Sequence, residues 1–146
     1  MLKLRSYQEE CLKSILEHHN QGINKLIVHV PTPTGKNALL CALIEQLNLK
    51  TLVLVRNRRL IAKIKPLLDD RVTVYSLGSA RKPDILAQLK KQGFSLCIYD
   101  EAPRSQAANP KRILSALGFL DGLSGKLLIG FTTTFKTGTM WAIIFK

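Results

Sequence analysis

The sequence predicts an α/β domain with a mainly parallel, doubly wound sheet that is flanked by helices. Short apolar runs rich in branched residues alternate with stretches of helical periodicity, and this alternation is typical of parallel sheets. No apolar run is long enough to span a membrane, so we expect no membrane partner. A length of 146 residues gives room for one domain with its own core.

The predicted elements follow one another along the whole chain. Ser6 and Glu9 stand at capping-box spacing at the start of a helix over residues 7–19. Further helices are predicted over 36–47, 57–68, 83–92 and 109–117. Strands are predicted over 26–30, 51–55, 72–75, 94–99 and 126–131. The strands are short and apolar, as buried parallel strands are.

The charge of the chain favours a polyanionic partner such as nucleic acid. The net charge is +12, and five of the ten residues from Arg56 to Lys65 are basic. Such a run is also compatible with an ordinary solvated helix face, but the basic excess extends over the whole chain. The three cysteines lack metal-ligand spacing and predict buried thiols in a reducing compartment. We therefore expect a cytoplasmic location.

Residues 31–37, P-T-P-T-G-K-N, lie between a predicted strand and a predicted helix. A loop in this position points backbone N–H groups and a helix N-terminus at an anion, and Lys36 adds a positive charge. Thr32, Thr34, Gly35 and Asn37 complete the predicted phosphate loop. The alternative interpretation is an ordinary corner between a strand and a helix.

A second signal is the acidic pair Asp100-Glu101, which directly follows the apolar run 94–99. Two acids at the end of a buried strand are typical of sites where the first carboxylate holds Mg²⁺ and the second orients an attacking water. Two exposed acids at a strand end are the alternative, but their position downstream of Gly35-Lys36 makes the pattern more specific.

Four segments together resemble the DEAD/DEAH-type helicases of superfamily two. Residues 100–105, D-E-A-P-R-S, are similar to the D-E-A-H-R-S motif of DEAH-type helicases and of type III restriction enzyme helicase subunits. Residues 131–136, F-T-T-T-F-K, resemble the motif that couples hydrolysis to strand movement. Residues 4–8 resemble a motif that contacts adenine, and residues 51–60 a segment that contacts the nucleic-acid backbone. Residues 76–81 match a second strand-contacting motif in residue class only.

The resemblance covers residues 1–136 and implies the first RecA-like, P-loop domain of such an enzyme, followed by a tail, 137–146, without resemblance. It implies ATP and Mg²⁺ as cofactors and nucleic acid as partner, with DNA favoured over RNA. The implied roles are adenine contact for Arg5 and Gln8, phosphate contact for Lys36, metal binding for Asp100 and Asn37, catalytic base for Glu101, coupling for Thr132 and Thr134, and nucleic-acid contact for Arg58 and Arg59.

Several motif positions depart from the family pattern. Pro33 replaces a glycine and so removes one N–H donor, and Asn37 replaces the threonine whose hydroxyl ligates Mg²⁺. Pro103 replaces the histidine that links the acidic motif to the coupling motif. Further replacements stand at Arg56, Asn57, Thr133 and Phe135. We expect hydrolysis to be weak or absent in this chain.

These enzymes bind ATP between two RecA-like domains, and the second domain supplies an arginine worth roughly 10³–10⁵ in rate. Unwinding alone is therefore not expected, and a separate second domain is a candidate partner. Two alternatives stay open: a non-enzymatic basic module that no longer binds ATP, and an unrelated small phosphate-binding protein. The coupling and adenine motifs disfavour the unrelated protein, because simple phosphate binding does not need them.

Overall fold

The structure is a computed structural model that describes residues 6–29, 33–55, 65–67, 70–100, 113–119, 126–132 and 142–145. The helices are α1 (Ser6–Asn20), α2 (Pro33–Leu47), α3 (Leu77–Ala80) and α4 (Pro83–Gln92), with a 3₁₀ turn at Lys65–Leu67 and a helical segment at 113–116. The strands are β1 (Lys25–His29), β2 (Thr51–Val55), β3 (Val72–Ser76), β4 (Leu96–Asp100), β5 (Leu127–Thr132) and β6 (Ala142–Phe145).

The described strands form one sheet in the order β3-β2-β4-β5-β1-β6. All pairings are parallel except that of β6, which runs antiparallel to β1. The predicted α/β class with a mainly parallel sheet is therefore confirmed. In a parallel sheet the carboxyl ends of the strands share one edge, here called the carboxyl edge, and the amino ends share the opposite amino edge.

Helices pack on both faces of the sheet because its central strands are apolar on both sides. In β2, Val53 and Val55 join the core beneath α1 and α2, whereas Leu52 and Leu54 join the core beneath α4 and residues 113–119. The alternation follows from the two-residue period of a strand. Burying a leucine or valine side chain stabilises the fold by about 1.5–3 kcal/mol relative to leaving it exposed. Both helical layers are therefore needed, because each one covers the apolar side chains on one face of the sheet.

Most predicted elements are present, with shifted ends. The helix predicted over 83–92 and the strand predicted over 51–55 have the expected bounds. The helix predicted from residue 36 begins at Pro33, and the strand predicted from Phe94 begins at Leu96. The tail, for which no element was predicted, contains β6. The basic helix predicted over 57–68 lies mainly outside the described residues, as do residues 109–112 of the last predicted helix.

The cysteines are free thiols, but they are not all buried as predicted. Cys11 and Cys97 are buried, whereas Cys41 is half-buried. Burial raises the pKa of the Cys11 thiol to about 12 and raises the pKa of Cys97 as well. The pKa of Cys41 is raised by burial and by the nearby Glu45 carboxylate. All three therefore favour the neutral thiol. In the described part of the chain, no helix has the length and apolarity that crossing a membrane requires.

Two lysines close the carboxyl ends of helical segments. Lys50 Nζ donates a 2.6 Å hydrogen bond to the carbonyl of Gln92 and lies 5.5 Å from the Phe94 ring centroid. Lys126 Nζ donates a 2.8 Å hydrogen bond to the carbonyl of Leu117 and lies 5.3 Å from the ring centroid of Phe119. A cation at this position satisfies an otherwise unpaired helical carbonyl and complements the helix dipole.

The end of α4 provides a test of this local geometry. Gly93 caps the helix with φ 68° and ψ 63°, a left-handed conformation. Gly93→Ala should lower the free energy of unfolding by about 1–2 kcal/mol, because a Cβ strains that conformation even though nothing lies within 4 Å of it. The measurement is denaturant unfolding. The matched control is Gly78→Ala in α3, also with open space at its Cβ but without positive φ, which should be neutral or stabilising by up to about 1 kcal/mol. Equal losses of unfolding free energy in the two variants would contradict the left-handed conformation of Gly93.

Candidate functional site

Three neighbouring strands bring the predicted motifs to one place on the carboxyl edge. His29 at the end of β1 is level with Thr132 at the end of β5, and Asp100 at the end of β4 is level with Phe131. Since neighbouring strands lie about 4.8 Å apart, the backbone ends of β1 and β4 are separated by about 10 Å. The ladder therefore places Asp100 and Thr132, which belong to the acidic motif and the coupling motif, near the carboxyl end of β1.

The first turn of α2 provides the candidate anion site. The sequence analysis predicted a loop over residues 31–37 that enters a helix at residue 36, whereas α2 begins three residues earlier, at Pro33. The physical reason is Pro33, whose fixed φ near −65° suits the first position of a helix. The first four N–H groups of a helix have no partner within it. Because proline lacks an N–H, the donors of this set that lie within α2 are those of Thr34 and Gly35.

The start of α2 and the end of β4 carry residues that the sequence analysis predicted to bind a nucleotide and its metal ion. Gly35, Lys36 and Asn37 lie in the first turns of α2, which begins four residues after the end of β1. Carboxylate and amide oxygens are suitable ligands for Mg²⁺, which is commonly held by one or two carboxylates and the phosphates of the substrate. Asp100 and Asn37 are such donors. Among the described residues, no three or more histidine, cysteine or acidic side chains are grouped so that they could hold a metal ion.

Gln8, the predicted adenine contact, lies in the first turn of α1. Gln8 is 4% exposed and takes part in an interaction within the folded chain. The adenine role of Gln8 stays a prediction, and Arg5 lies outside the described residues.

A second feature of the carboxyl edge lies at the end of β3. Ser76 is level with Val55, and its side chain is 4% exposed. Ser76 Oγ accepts a 3.3 Å hydrogen bond from the Ser79 N–H and donates a 3.1 Å bond to Ser79 Oγ. This is the geometry of an N-cap, and it starts α3 immediately beyond the strand. Residues 76–81, predicted to be the remnant of a strand-contacting motif, thus begin at the same edge as the nucleotide motifs, with Arg81 exposed.

The structure leaves several predicted positions untested. Thr32, Arg58, Arg59, Glu101, Pro103 and Thr134 lie outside the described residues. The sequence analysis also did not single out His29, which the ladder places level with Thr132. In the sequence, the feature that could have pointed to His29 is its position just before the predicted phosphate loop.

Comparisons with known proteins agree with this picture. Residues 1–70 match the family model described as Type III restriction enzyme, res subunit. The chain is 28% identical over 159 aligned positions to a Schizosaccharomyces pombe protein named "Putative mitochondrial ATP-dependent helicase irc3"; the alignment covers 91% of this chain and 26% of the relative. The crystal structure of a hypothetical ATP-dependent RNA helicase from Sulfolobus tokodaii matches with a TM-score of 0.60 and 20% identity, covering 92% of this chain and 47% of that one.

The chain therefore spans about a quarter of the curated relative and about half of the matched structure. The structural match, at 20% identity, supports the fold. The family match supports the motifs of the first seventy residues, and the curated relative extends the likeness over most of the chain. Together these findings confirm the resemblance of this chain to the ATP-binding, RecA-like domain of superfamily-two helicases.

Proposed function

We propose that this chain binds ATP with Mg²⁺ at the carboxyl edge and contacts nucleic acid beside that site, as the first domain of a helicase-type ATPase. The observation that carries the proposal is the alignment of Thr132 and Asp100 with the end of β1, next to the N-terminus of α2. In open α/β sheets, ligands bind outside the carboxyl ends of the strands. The likeness to a protein named as an ATP-dependent helicase, aligned over 91% of this chain, supports ATP as the ligand.

Each residue of the proposed site has a chemical role. Lys36 and the N–H groups of the first turn of α2 bind the outer phosphates, because both present positive charge to an anion. Asp100 and Asn37 hold Mg²⁺, which neutralises charge on the phosphates when bound. Glu101 orients the attacking water, and Thr132 and Thr134 couple the nucleotide site to the nucleic-acid surface.

We propose that hydrolysis by this chain alone is slow. Pro33 leaves one donor fewer at the start of α2, and Asn37 offers an amide oxygen in place of a hydroxyl. The arginine that stabilises the transition state in such enzymes comes from a second domain and is worth roughly 10³–10⁵ in rate. A separate second RecA-like domain is therefore the proposed partner for full activity.

For the nucleic acid, we propose DNA rather than RNA, contacted by Arg58 and Arg59. The support for DNA is the likeness to a restriction-enzyme subunit. One relative is named as an ATP-dependent helicase and the other as an RNA helicase. Comparing the affinities of the chain for DNA and RNA oligonucleotides decides between the two nucleic acids. We likewise propose a cytoplasmic location for this chain, whereas the curated relative is named as a mitochondrial protein.

One observation favours a second candidate function, a nucleic-acid-binding module that no longer binds ATP. The helix α2 begins at Pro33, so the segment that should wrap the phosphates is partly helical. If the remaining N–H groups are too few, the basic surface still functions without nucleotide. The next three experiments separate these two functions.

The first experiment tests the phosphate contact of Lys36. Lys36→Ala should reduce ATP affinity below detection, because it removes the positive charge at the helix start. Calorimetric titration with and without Mg²⁺ is the measurement, and circular dichroism confirms that the variant folds. The control is Lys13→Ala in the middle of α1, an exposed lysine outside α2. Equal ATP affinity of parent and Lys36→Ala would show that α2 does not bind the nucleotide.

The second experiment restores the missing donor. Pro33→Gly should raise ATP affinity about ten- to a hundredfold, because a hydrogen bond to a charged acceptor is worth about 1.5–3 kcal/mol. The comparison variant Pro33→Ala also restores an N–H, but alanine favours the helix and does not make the backbone as flexible as glycine does. The two variants together therefore distinguish the effect of the restored donor from the effect of backbone flexibility. If neither variant binds ATP better than the parent, the module without ATP becomes the favoured function.

The third experiment tests nucleic-acid contact by Arg58 and Arg59. Binding of a single-stranded oligonucleotide should weaken steeply with salt, since phosphate contacts release counterions. Arg58→Ala with Arg59→Ala should reduce the slope of log affinity against log salt by about 1.4, at about 0.7 for each phosphate contact. Fluorescence anisotropy at several salt concentrations gives the slope. Affinity that does not change between low and physiological salt would exclude a phosphate-dominated contact.

A further inference from the structure

The strand β3 lies at one end of the sheet and has a single neighbour, β2, among the described strands. Residues 72–75 of β3 are half-buried, whereas every residue of β2 is buried. Natural sheets usually protect such an end strand with charged residues, proline or a bulge, because its outward backbone groups can bind another strand. The sequence of β3, V-T-V-Y-S, contains no charged residue and no proline. We call the side of β3 that faces away from β2 the β3 edge.

The hydrogen bonding with β2 shows which backbone groups lie on the β3 edge. Thr51 N donates to the Arg71 carbonyl at 3.2 Å, so the backbone groups of Arg71 face β2. Because the direction of these groups alternates along a strand, those of Thr73 also face β2, whereas those of Val72 and Val74 face away from it. The two valines therefore present two N–H donors and two carbonyl acceptors on the β3 edge. Among the described residues, no backbone hydrogen bond engages these groups.

The side chains of β3 are distributed over both faces of the sheet. Val72 and Val74 pack against the core beneath α1 and α2, and Tyr75 packs against the core beneath α4. Thr73 alternates with the two valines and therefore lies on the same face as Tyr75. A strand that pairs with the β3 edge would thus meet β-branched or aromatic side chains on either face.

We propose that the β3 edge pairs with the β3 edge of a second copy of this chain, antiparallel and with Thr73 opposite Thr73 of that copy. In this register Val72 lies opposite Val74 of the second copy, and Val74 lies opposite its Val72. Each of these two pairs exchanges two N–H···O=C bonds, so all the outward groups of the valines are used. Arg71 lies opposite Tyr75 of the second copy, so the register does not place like charges opposite each other.

The β3 edge fits a second copy better than an unrelated strand, because it is complementary to itself. A two-fold dimer requires that one surface match its own copy. Here each donor of Val72 or Val74 meets an acceptor of the other valine in the second copy. Threonine opposite threonine is also among the cross-strand pairs that stabilise antiparallel strands. Because the paired strands are antiparallel, the carboxyl edges of the two copies lie at opposite ends of the joined sheet. The inference does not rest on ATP or nucleic-acid binding.

The first test exchanges charges at the centre of the proposed pair, with analytical ultracentrifugation of the full chain at physiological salt as the measurement. Thr73→Lys and Thr73→Glu should each raise the dissociation constant of the dimer by about tenfold or more, because each places two like charges opposite each other. An equimolar mixture of the two variants should dimerise again, because lysine then lies opposite glutamate. The matched controls are Gln88→Lys and Gln88→Glu at an exposed position of α4, which should leave dimerisation unchanged.

The second test acts on the backbone of the β3 edge. Val74→Pro removes an N–H that points away from β2, so the ladder between β2 and β3 keeps its bonds. The variant should raise the dissociation constant of the dimer by about tenfold, because one bond is lost from each of the two valine pairs. The comparison variant Val74→Ala also shortens the side chain but keeps the N–H, and it should dimerise more tightly than Val74→Pro. Circular dichroism confirms that both variants fold.

The salt dependence of dimerisation separates it from binding of nucleic acid. The dimer should be tighter at physiological salt than at low salt, because salt screens the repulsion between two chains of net charge +12. Binding of nucleic acid should have the opposite dependence.

Several outcomes would overturn the inference. A parent chain that sediments as a monomer at every concentration and salt would exclude the dimer. A dimer that is equally stable with Thr73→Lys and with Gln88→Lys would place the contact between the copies elsewhere. Folded Thr73→Lys and Thr73→Glu chains that stay monomeric when mixed would refute the register. Conversely, dimerisation with the expected response to Thr73→Lys, in a chain that binds no ATP, would refute the nucleotide site and support the pairing of the β3 edges.

Discussion

The parallel ladder of β4, β5 and β1 is the constraint on which the rest of the structure depends. Its register places Asp100 beside Phe131 and Thr132 beside His29, so motifs far apart in sequence reach one edge together. A shift by a single residue would turn the buried faces of β5 towards the wrong layer, because side chains alternate along a strand. Leu127, Ile129 and Phe131 lie in the core under α1 and α2, and their burial opposes such a shift. The packing of the core and the geometry of the proposed site are thus set by the same pairing.

Pro33 shows how one residue can serve the fold at the expense of a site. At the first position of α2 it costs the helix nothing, because its missing N–H would have no partner within the helix. That N–H is one that a bound phosphate would use. With proline at this position α2 still forms, and Leu39, Leu40 and Leu43 are buried. The helix start then has fewer N–H groups that could donate to an anion. This explains how a helicase-type scaffold persists while its motif positions diverge.

The positive charge of the chain has more than one use. Lys50 and Lys126 close helix ends on neutral carbonyls and lie against aromatic rings, so part of the basic excess has a structural role. A high net charge alone therefore says little about where a polyanion binds, and the position of each cation in the fold has to be considered.

The sequence by itself determined the class of fold, the order of most elements and the residue types of the proposed site. Apolar runs with two-residue or helical periodicity depend on local spacing, and motifs such as Gly35-Lys36 and Asp100-Glu101 are contiguous. Only the tertiary structure decided which strands are neighbours and that β6 pairs with β1. It also moved the start of α2 to Pro33 and left Cys41 half-buried. The reason is physical: strand order and edge position arise from hydrogen bonds between segments far apart in the chain, which no local pattern encodes.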